Sequence, residues 1–481
     1  MRARLLASEN RKWWTLGAVS FGLFMMMLDN TVVNVALPAM QRALKIGPSE
    51  LEWIVVSYAL TFATLMLTGG KLADYYGRKR LFVIGLVIFT ASSLACGLAP
   101  SAGVLIGART VQGVGAALMN PATLGIITAT FPPRQRGTAI GIWAGTSAMA
   151  LAIGPLVGGV LTEKVSWSWI FFVNVPVGVL GVLVALWAID ESRDSSHEQR
   201  LDFPGLVSSA LGLFALTYGL IEANTYGWTS ARILGLFAVA VLFLVAFVLL
   251  EHRQRLPMLD LSLFRSPTFS GANTSMLFVA LAMFGIFFYN SLFFQNILGY
   301  SAIETGALFL PMTFLIILLA PVAGRASDRV GSRWLIGGGM SLLAVSLVLF
   351  AQLDQGSRFW SIVPALVVGG IGMALTMTPT TAAVMASVPV DQAGIGSAVL
   401  NSARQVGGSL GIAIMGAVVA SRIHVPRTDP AFVGQFVGGY HHGLYAAAGI
   451  AFAGALIAIA TVRKGAHHHE PLEVAAGATG A

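Results

Sequence analysis

Long apolar runs, each broken by only a few polar residues, recur along the whole chain. A helix needs roughly 20 mainly apolar residues to cross a bilayer. Runs of that kind predict spans near 14–38, 51–69, 81–99, 103–127, 138–161 and 169–189. Two more are predicted near 204–222 and 231–250, and six near 269–298, 304–323, 334–353, 361–386, 394–420 and 442–462. The pattern describes an all-α integral membrane protein with 14 transmembrane helices. The longest polar stretch between early spans, Asp190 to Asp202, is the natural linker after the first half. The expected organisation is a six-helix bundle over 1–190 and a linker with two extra membrane helices over 191–265. A second six-helix bundle over 266–463 and a polar tail over 464–481 complete it.

Composition strengthens this picture. The 481 residues are 56% hydrophobic and 10% charged, against about 25% charged in soluble domains, and the mean hydropathy is +0.78. A chain so poor in charge cannot cover a water-facing surface. The 54 glycines are spread through the apolar runs, where small residues let helices approach closely in lipid. The net charge of +8 does not point to nucleic acid, because the basic residues sit in short clusters between spans rather than on one polar face. Cys96 is the single cysteine, so neither an intrachain disulfide nor a cysteine-rich metal site is expected. His467, His468 and His469 lie in the polar tail and read as a solvated segment; no metal site is expected there.

Charge also orients the chain. The basic start (Arg2, Arg4, Arg11, Lys12) precedes an apolar stretch too long for a signal peptide and without a clear cleavage site, so it reads as the first span. With the N-terminus in the cytoplasm, 14 spans return the C-terminus there. Of the 29 Lys and Arg residues, 20 then fall on the cytoplasmic side and 7 outside, with Arg109 and Arg404 inside spans. Such a bias is the positive-inside pattern.

The chain repeats itself. Gly70, Asp74, Gly77 and Lys79 in one short basic loop are echoed by Gly324, Asp328, Gly331 and Arg333 in another, at a constant offset of 254 residues. Two similar halves with a substrate path between them are common in transporters. In the first loop the glycines permit a tight turn. Arg78, Lys79 and Arg80 hold it on the cytoplasmic side, and Asp74 is placed to accept hydrogen bonds from a neighbouring helix start.

Two ionisable residues sit well inside apolar spans. Asp29 lies in FGLFMMMLDNTVVNVALP. An acid within a membrane span is a functional residue by default, and a carboxyl group among apolar side chains can exchange a proton near neutral pH. The structural alternative is an acid bonded to Asn30, Thr31 or Asn34 on its own helix. Arg109 needs an acceptor or a watery cavity, with Asp29 or backbone carbonyls in reach, or it ties two helices together. Glu222 and Glu304 fall at span edges and read as solvated, which leaves Asp29 as the one deep acid. In the fifth span, Gly154, Pro155, Gly158 and Gly159 suit either a hinge or tight helix packing.

These residues carry a resemblance. GKLADYYGRKR at 70–80 resembles the signature loop of the major facilitator superfamily. Leu105, Arg109, Gln112, Gly113 and Gly115 are similar to its fourth-helix motif. Gly154, Pro155, Gly158 and Gly159 resemble the fifth-helix motif that marks exporters, with Ala150 where that motif has its first glycine. LDNTVVNVALP at 28–38, WSWIFFVNVP at 167–176 and the pattern Leu400, Asn401, Arg404, Gln405, Gly408 look like the fourteen-span drug:proton antiporter branch, with Ser168 in place of the branch's usual basic residue.

The resemblance implies two six-helix bundles plus two linking helices and export of small lipophilic molecules across the cytoplasmic membrane, driven by the proton gradient. It implies proton coupling at Asp29 and Arg109, a conformational latch at Gly70, Asp74, Gly77, Arg78 and Lys79, and an antiporter hinge at Gly154 to Gly159. Asn30, Asn34, Gln112, Tyr289, Phe293, Asn401, Arg404 and Gln405 are candidates for the cavity wall. The expected partners are a lipophilic small molecule, cationic or neutral, together with protons and membrane lipid. Neither nucleic acid nor a cofactor is expected, and the working unit is expected to be a monomer. No GxxxxGK[ST] loop is present, so ATP drive has no support, and a membrane-embedded enzyme would need converging titratable groups that these spans lack.

Overall fold

The computed structural model describes residues 8–193, 202–254, 257, 259–388, 393–426 and 429–463. Fourteen long helical segments fill it. The first six are α1 (Ser8–Leu44), α2 (Pro48–Tyr76), α3 (Arg78–Gly97), α4 (Ala102–Thr130), α5 (Pro133–Lys164) and α6, which runs as Trp169–Phe172 and Asn174–Ala188 with a one-residue break at Val173. Then come α7 (Phe203–Tyr226) and α8 (Ala231–Arg253). The last six are α9 (Pro267–Asn296), α10 (Ala302–Leu308 and Leu310–Val330), α11 (Ser332–Phe350), α12 (Phe359–Ala386), α13 (Ala393–Ala420) and α14 (Ala431–Thr461). Among the described residues, 13 of them are long and apolar enough to cross a membrane. The remaining one, α5, is 32 residues long.

Polar and proline residues set the helix starts. Pro48 and Pro267 stand in the first turns of α2 and α9, where a missing N–H costs nothing. Glu50 Oε2 accepts from Gly47 N at 2.6 Å. Ser301 and Glu304 form a reciprocal capping box at the start of α10, so Glu304 is an exposed cap, as its edge position implies. The start of α14, at Ala431, lies 11 residues before the predicted 442. Glycines and His441 and His442 lower the hydropathy there, yet the backbone stays helical because Tyr440 packs against Phe293.

The packing repeats by halves. Within the first six helices α2 lies against α4, α3 against α4, and α1 against α5; α10 on α12, α11 on α12, and α9 on α13 reproduce that set. Helices α2 and α10 share the offset of 254 residues at both ends, 48 against 302 and 76 against 330. The halves meet where α2 crosses α13, α5 crosses α10 and α1 faces α9. Helices α7 and α8 pair with one another, and α7 also rests on α2 and α13. Helix α9 is buried almost throughout, whereas α8 buries only Ile233, Ala240 and Glu251. That difference places α9 at the centre and α8 at the lipid-facing edge. The tail from 464 onward, with His467 to His469, lies outside the described residues.

Candidate functional site

Asp29 and Arg109 meet. The register of α1 turns Asp29 into the interior of the first six helices, with 0% exposure, and α4 brings Arg109 there with 1%. Arg109 Nη1 lies 2.5 Å from Asp29 Oδ2. Its Nε donates to the Ile54 carbonyl of α2 at 3.1 Å, and its guanidinium lies 4.2 Å from the centre of the Tyr58 ring. Gln112, one turn beyond Arg109, accepts from Arg109 Nη1 at 2.8 Å and donates to Asp29 Oδ1 at 3.1 Å. Asn174, just after the break in α6, donates to Asp29 Oδ1 at 3.4 Å and to Ser93 Oγ of α3 at 3.0 Å. The Ser93 hydroxyl donates in turn to the Phe171 carbonyl at 3.0 Å.

Five helices therefore contribute to one network, in which α4 and α6 bond the carboxylate directly, and its negative charge is matched by a permanent positive one. A buried pair of this kind is costly to desolvate and tolerable only when its remaining donors and acceptors are satisfied. The alternative of an acid bonded to its own helix is not what the structure shows. Asn30 donates to the Met26 carbonyl, Asn34 to the Asn30 carbonyl, and Thr31 to the Leu28 carbonyl. Gln112 belongs to the Asp29 network rather than to a cavity wall. Ser93 was not singled out from the sequence, and Asn174 entered only as part of the motif at 167–176, without a role; neutral polar residues in a span carry no signal as strong as a charge.

The loop at 70–80 is differently wired from its expectation. Among the described residues Asp74 accepts no backbone N–H of a helix start; its donor is the side chain of Arg78, the first residue of α3. Arg78 Nε donates to it at 2.8 Å across one turn, and Arg78 Nη1 reaches the Gly125 carbonyl of α4 at 3.4 Å. The carboxylate at the start of α3 is Glu191, which accepts from the backbone of Lys79 at 3.1 Å and of Arg80 at 3.3 Å. It lies where a side chain on Gly77 would stand. Gly77 has φ +117°, and Gly331, its counterpart in the repeat, +92°, a region where glycine is favoured. Lys79 Nζ donates to the Leu186 carbonyl at 2.8 Å, and Lys71 reaches the Pro257 carbonyl at 2.5 Å. These partners lie in the first half and the linker. A side chain on Gly70 would meet Pro121 only at ordinary contact distance. The side chain of Asp328, in the second copy of the loop, lies outside the described residues.

The α5 motif faces two ways. Side chains on Gly154 or Gly158 would strike Thr31 and Val32 of α1. A side chain on Gly159 would strike the Ala302 carbonyl of α10, and the Pro155 carbonyl lies where Gly306 of α10 would carry one. The α5–α10 crossing is thus backbone against backbone.

Among the described residues the hydrogen bonds between the two six-helix sets join their ends opposite the loop at 70–80. Gln295 Nε2 donates to the Val35 carbonyl at 2.8 Å, Ile303 N to Glu163 Oε2 at 3.0 Å, and Tyr289 Oη to Glu52 Oε1 at 2.8 Å. Glu52 is 4% exposed. The expectation of a single deep acid is therefore corrected: α2 starts three residues earlier than predicted, and α13 covers Glu52, which the sequence reading had not considered. Glu222, expected to be solvated, is half-buried and accepts from Ser49 Oγ at 2.5 Å.

The cavity candidates divide. Phe293 is fully buried and stacks on Tyr440 with centroids 4.5 Å apart, so it is core rather than cavity wall. Tyr289 is buried against Glu52, and Gln405 is buried on α13. Asn30, Asn401 and Arg404 remain half-buried at mid-helix positions.

Two bundles related by repetition, joined by crossings at one end and carrying a buried ion pair inside one of them, define the class: a multi-span membrane transporter. The family model described as Major Facilitator Superfamily matches residues 19–412 and 274–477. The chain belongs to that superfamily and is a multi-pass protein of the cytoplasmic membrane. It is 37% identical to the tetracenomycin C resistance and export protein of Streptomyces glaucescens over 86% of this chain and 77% of that one. It is 36% identical to the multidrug resistance protein Stp of Mycobacterium tuberculosis over 86% of this chain and 78% of that one. A bacterial homolog of the human lysosomal transporter Spinster, solved inward-facing and unoccupied, shares the fold with TM-score 0.68 at 18% identity, over 94% of this chain and 97% of that one.

Proposed function

We propose that this protein exports small lipophilic drugs or antibiotics across the cytoplasmic membrane in exchange for protons, and so confers resistance. The observation that carries the reading is the Asp29–Arg109 pair, buried in one bundle and braced by Gln112, Asn174, Ser93 and Tyr58. A proton arriving on Asp29 removes the charge that holds Arg109, and the two protonation states then differ in which helix arrangement they favour. A ligand shifts an equilibrium between two states only by its differential affinity for them; the proton on Asp29 supplies that difference. The proton gradient is the energy source and no cofactor is required. Substrate passes between the halves, with the half-buried Asn30, Asn401 and Arg404 as its candidate polar contacts. The halves rock about the glycine-lined α5–α10 crossing.

A narrower reading, a dedicated exporter of one antibiotic, is supported by the relative named for tetracenomycin C. Both readings face the same test. Cells expressing the protein are loaded with a lipophilic fluorescent dye, and efflux is followed with and without a protonophore, beside Asp29→Asn. Proton-coupled multidrug export predicts efflux that stops with the protonophore and is lost in the variant. Unimpaired efflux by Asp29→Asn removes Asp29 from coupling. No dye movement by the parent, with efflux of a single antibiotic from a natural-product panel, selects the narrow reading.

A further inference from the structure

The symmetry of the halves makes one residue conspicuous. The crossings α5–α10 and α2–α13 occupy equivalent places in the repeat. The first is lined with Gly159 and Gly306. The second encloses a carboxyl group. Glu52 stands one turn into α2 and presses on Gly416 of α13, where any side chain would collide with its carboxylate. Its hydrogen-bond donor is the Tyr289 hydroxyl of α9. One acid is thus held by three helices, two of which belong to the opposite half.

The groups facing it are few. From α9 comes Tyr289, and from α7 comes Glu222, close enough to add negative charge. Helix α13 presents Gly416 and the Ala417 backbone, the latter bonded by Asn224 at 2.7 Å. On the α4 side Arg109 is committed to Asp29, and it forms the ion pair there. Among the described residues no lysine, arginine or histidine pairs with Glu52. A buried carboxylate without a counter-charge is expensive, and such a group is normally paired or neutralised. Asp29 is paired. Glu52 is not.

We propose that Glu52 is a second proton-binding acid of this transporter, and that its bond with Tyr289 is a proton-dependent lock on the seam at the end opposite the 70–80 loop. The inference rests on the proton-coupled reading above. With the seam closed, the proton sits on Oε2 while Oε1 accepts from Tyr289. When the seam parts, the carboxyl meets water, gives its proton to a water molecule, and becomes a carboxylate that cannot re-enter the dry crossing until it is protonated again. The charge count assigns this end to the outside, so Glu52 takes protons from the side where the gradient makes them abundant. Closure of the emptied carrier is thereby tied to proton uptake.

The test measures the seam directly. Cysteines for spin labels are placed at exposed Arg42, at the end of α1, and exposed Ser421, just past α13, with Cys96→Ala removing the native thiol. The protein is reconstituted in lipid nanodiscs, and interlabel distances are recorded from pH about 6 to 9. In the parent, a longer distance should gain population as pH rises. Glu52→Gln, a near-isosteric neutral replacement, should lose that pH response and keep the short distance throughout. Tyr289→Phe should retain the response with a shifted midpoint. A Glu52→Gln protein that opens with pH as the parent does, or a parent whose distances ignore pH, overturns the proposal. Dye efflux is measured on the same proteins. Protonophore-sensitive efflux with a pH-indifferent seam removes the lock but leaves the transport reading. A Glu52-dependent seam in a protein whose efflux ignores the protonophore keeps the lock and removes the transport reading.

Discussion

Asp29 and Glu52 are both carboxylic acids inside the membrane-spanning region, and almost everything else about them differs. Asp29 lies within one bundle, paired with Arg109 and bonded to Gln112 and Asn174. Glu52 lies between bundles and receives a bond from the neutral Tyr289. Rigid-body motion of the halves strips Glu52 of its cover outright, whereas it reaches Asp29 only where the helices of its own bundle shift against one another. An acid inside a bundle responds to local rearrangement; an acid in the seam responds to the opening itself. Two carboxyl groups with the same chemistry are thus set to report on different steps by their position relative to the moving surfaces.

The sharpest way to break this contrast is Arg109→Ala. Removing one partner of a buried pair leaves an uncompensated charge and costs roughly 3–5 kcal/mol. A marked fall in thermal stability and loss of efflux are expected, measured by thermal unfolding in detergent and by dye transport. Asp29→Asn combined with Arg109→Gln should recover most of that stability, because both charges are gone, while efflux stays absent. Recovery of efflux along with stability would make the pair a structural tie only.

Gly306→Val comes next. It drives a branched side chain into the Pro155 carbonyl, and efflux should fall at least tenfold as the α5–α10 crossing is forced apart. Tyr289→Phe removes one neutral hydrogen bond, worth about 1 kcal/mol, so a shift of about 0.7 unit in the pH midpoint of efflux is expected, with little loss of fold. The smallest effect belongs to Glu191→Gln at the start of α3. It keeps an acceptor for Lys79 N and Arg80 N but gives up the charge facing the helix dipole, which is worth about 0.3–1 kcal/mol. Unfolding temperature should drop by a degree or two with transport intact.

Hydropathy made the helices legible because lipid allows so few alternatives: a backbone without water must satisfy itself within each span. Most span edges agree with the structure to within about four residues, but α1 runs six residues further at each end, α2 and α10 run seven further at their C-terminal ends, and α5 starts five earlier, because polar helical turns extend beyond the apolar stretch. At α14 the polar His441 and His442 obscured a helix that tertiary packing maintains. At α2 the sequence reading passed over Glu52, one residue inside the predicted span, and only the crossing of α13 makes that position dry. The Asp29–Arg109 pair was readable as two charges in apolar runs that need partners. Ser93 was not, and Asn174 was read only as a motif position without a role, since hydroxyls and amides satisfy themselves on their own helix at little cost. Glu191 was hidden in a stretch read as linker, because a cap for α3 supplied from 112 residues away leaves no local signature.

The α5 motif has a consequence for how this chain tolerates change. Gly158 and Gly159 are neighbours in sequence, yet one meets Val32 of α1 and the other Ala302 of α10. Successive residues on a helix are about 100° apart, so the two contact faces are locked to one another by count rather than by composition. Deleting a single residue between Ala150 and Gly159 would preserve nearly every amino acid in the helix and still rotate its two ends out of step, mating one partner with the face meant for the other. The segment should therefore accept conservative substitutions at its lipid-facing positions such as Ile153 and Val160, while changes of length there are rejected outright.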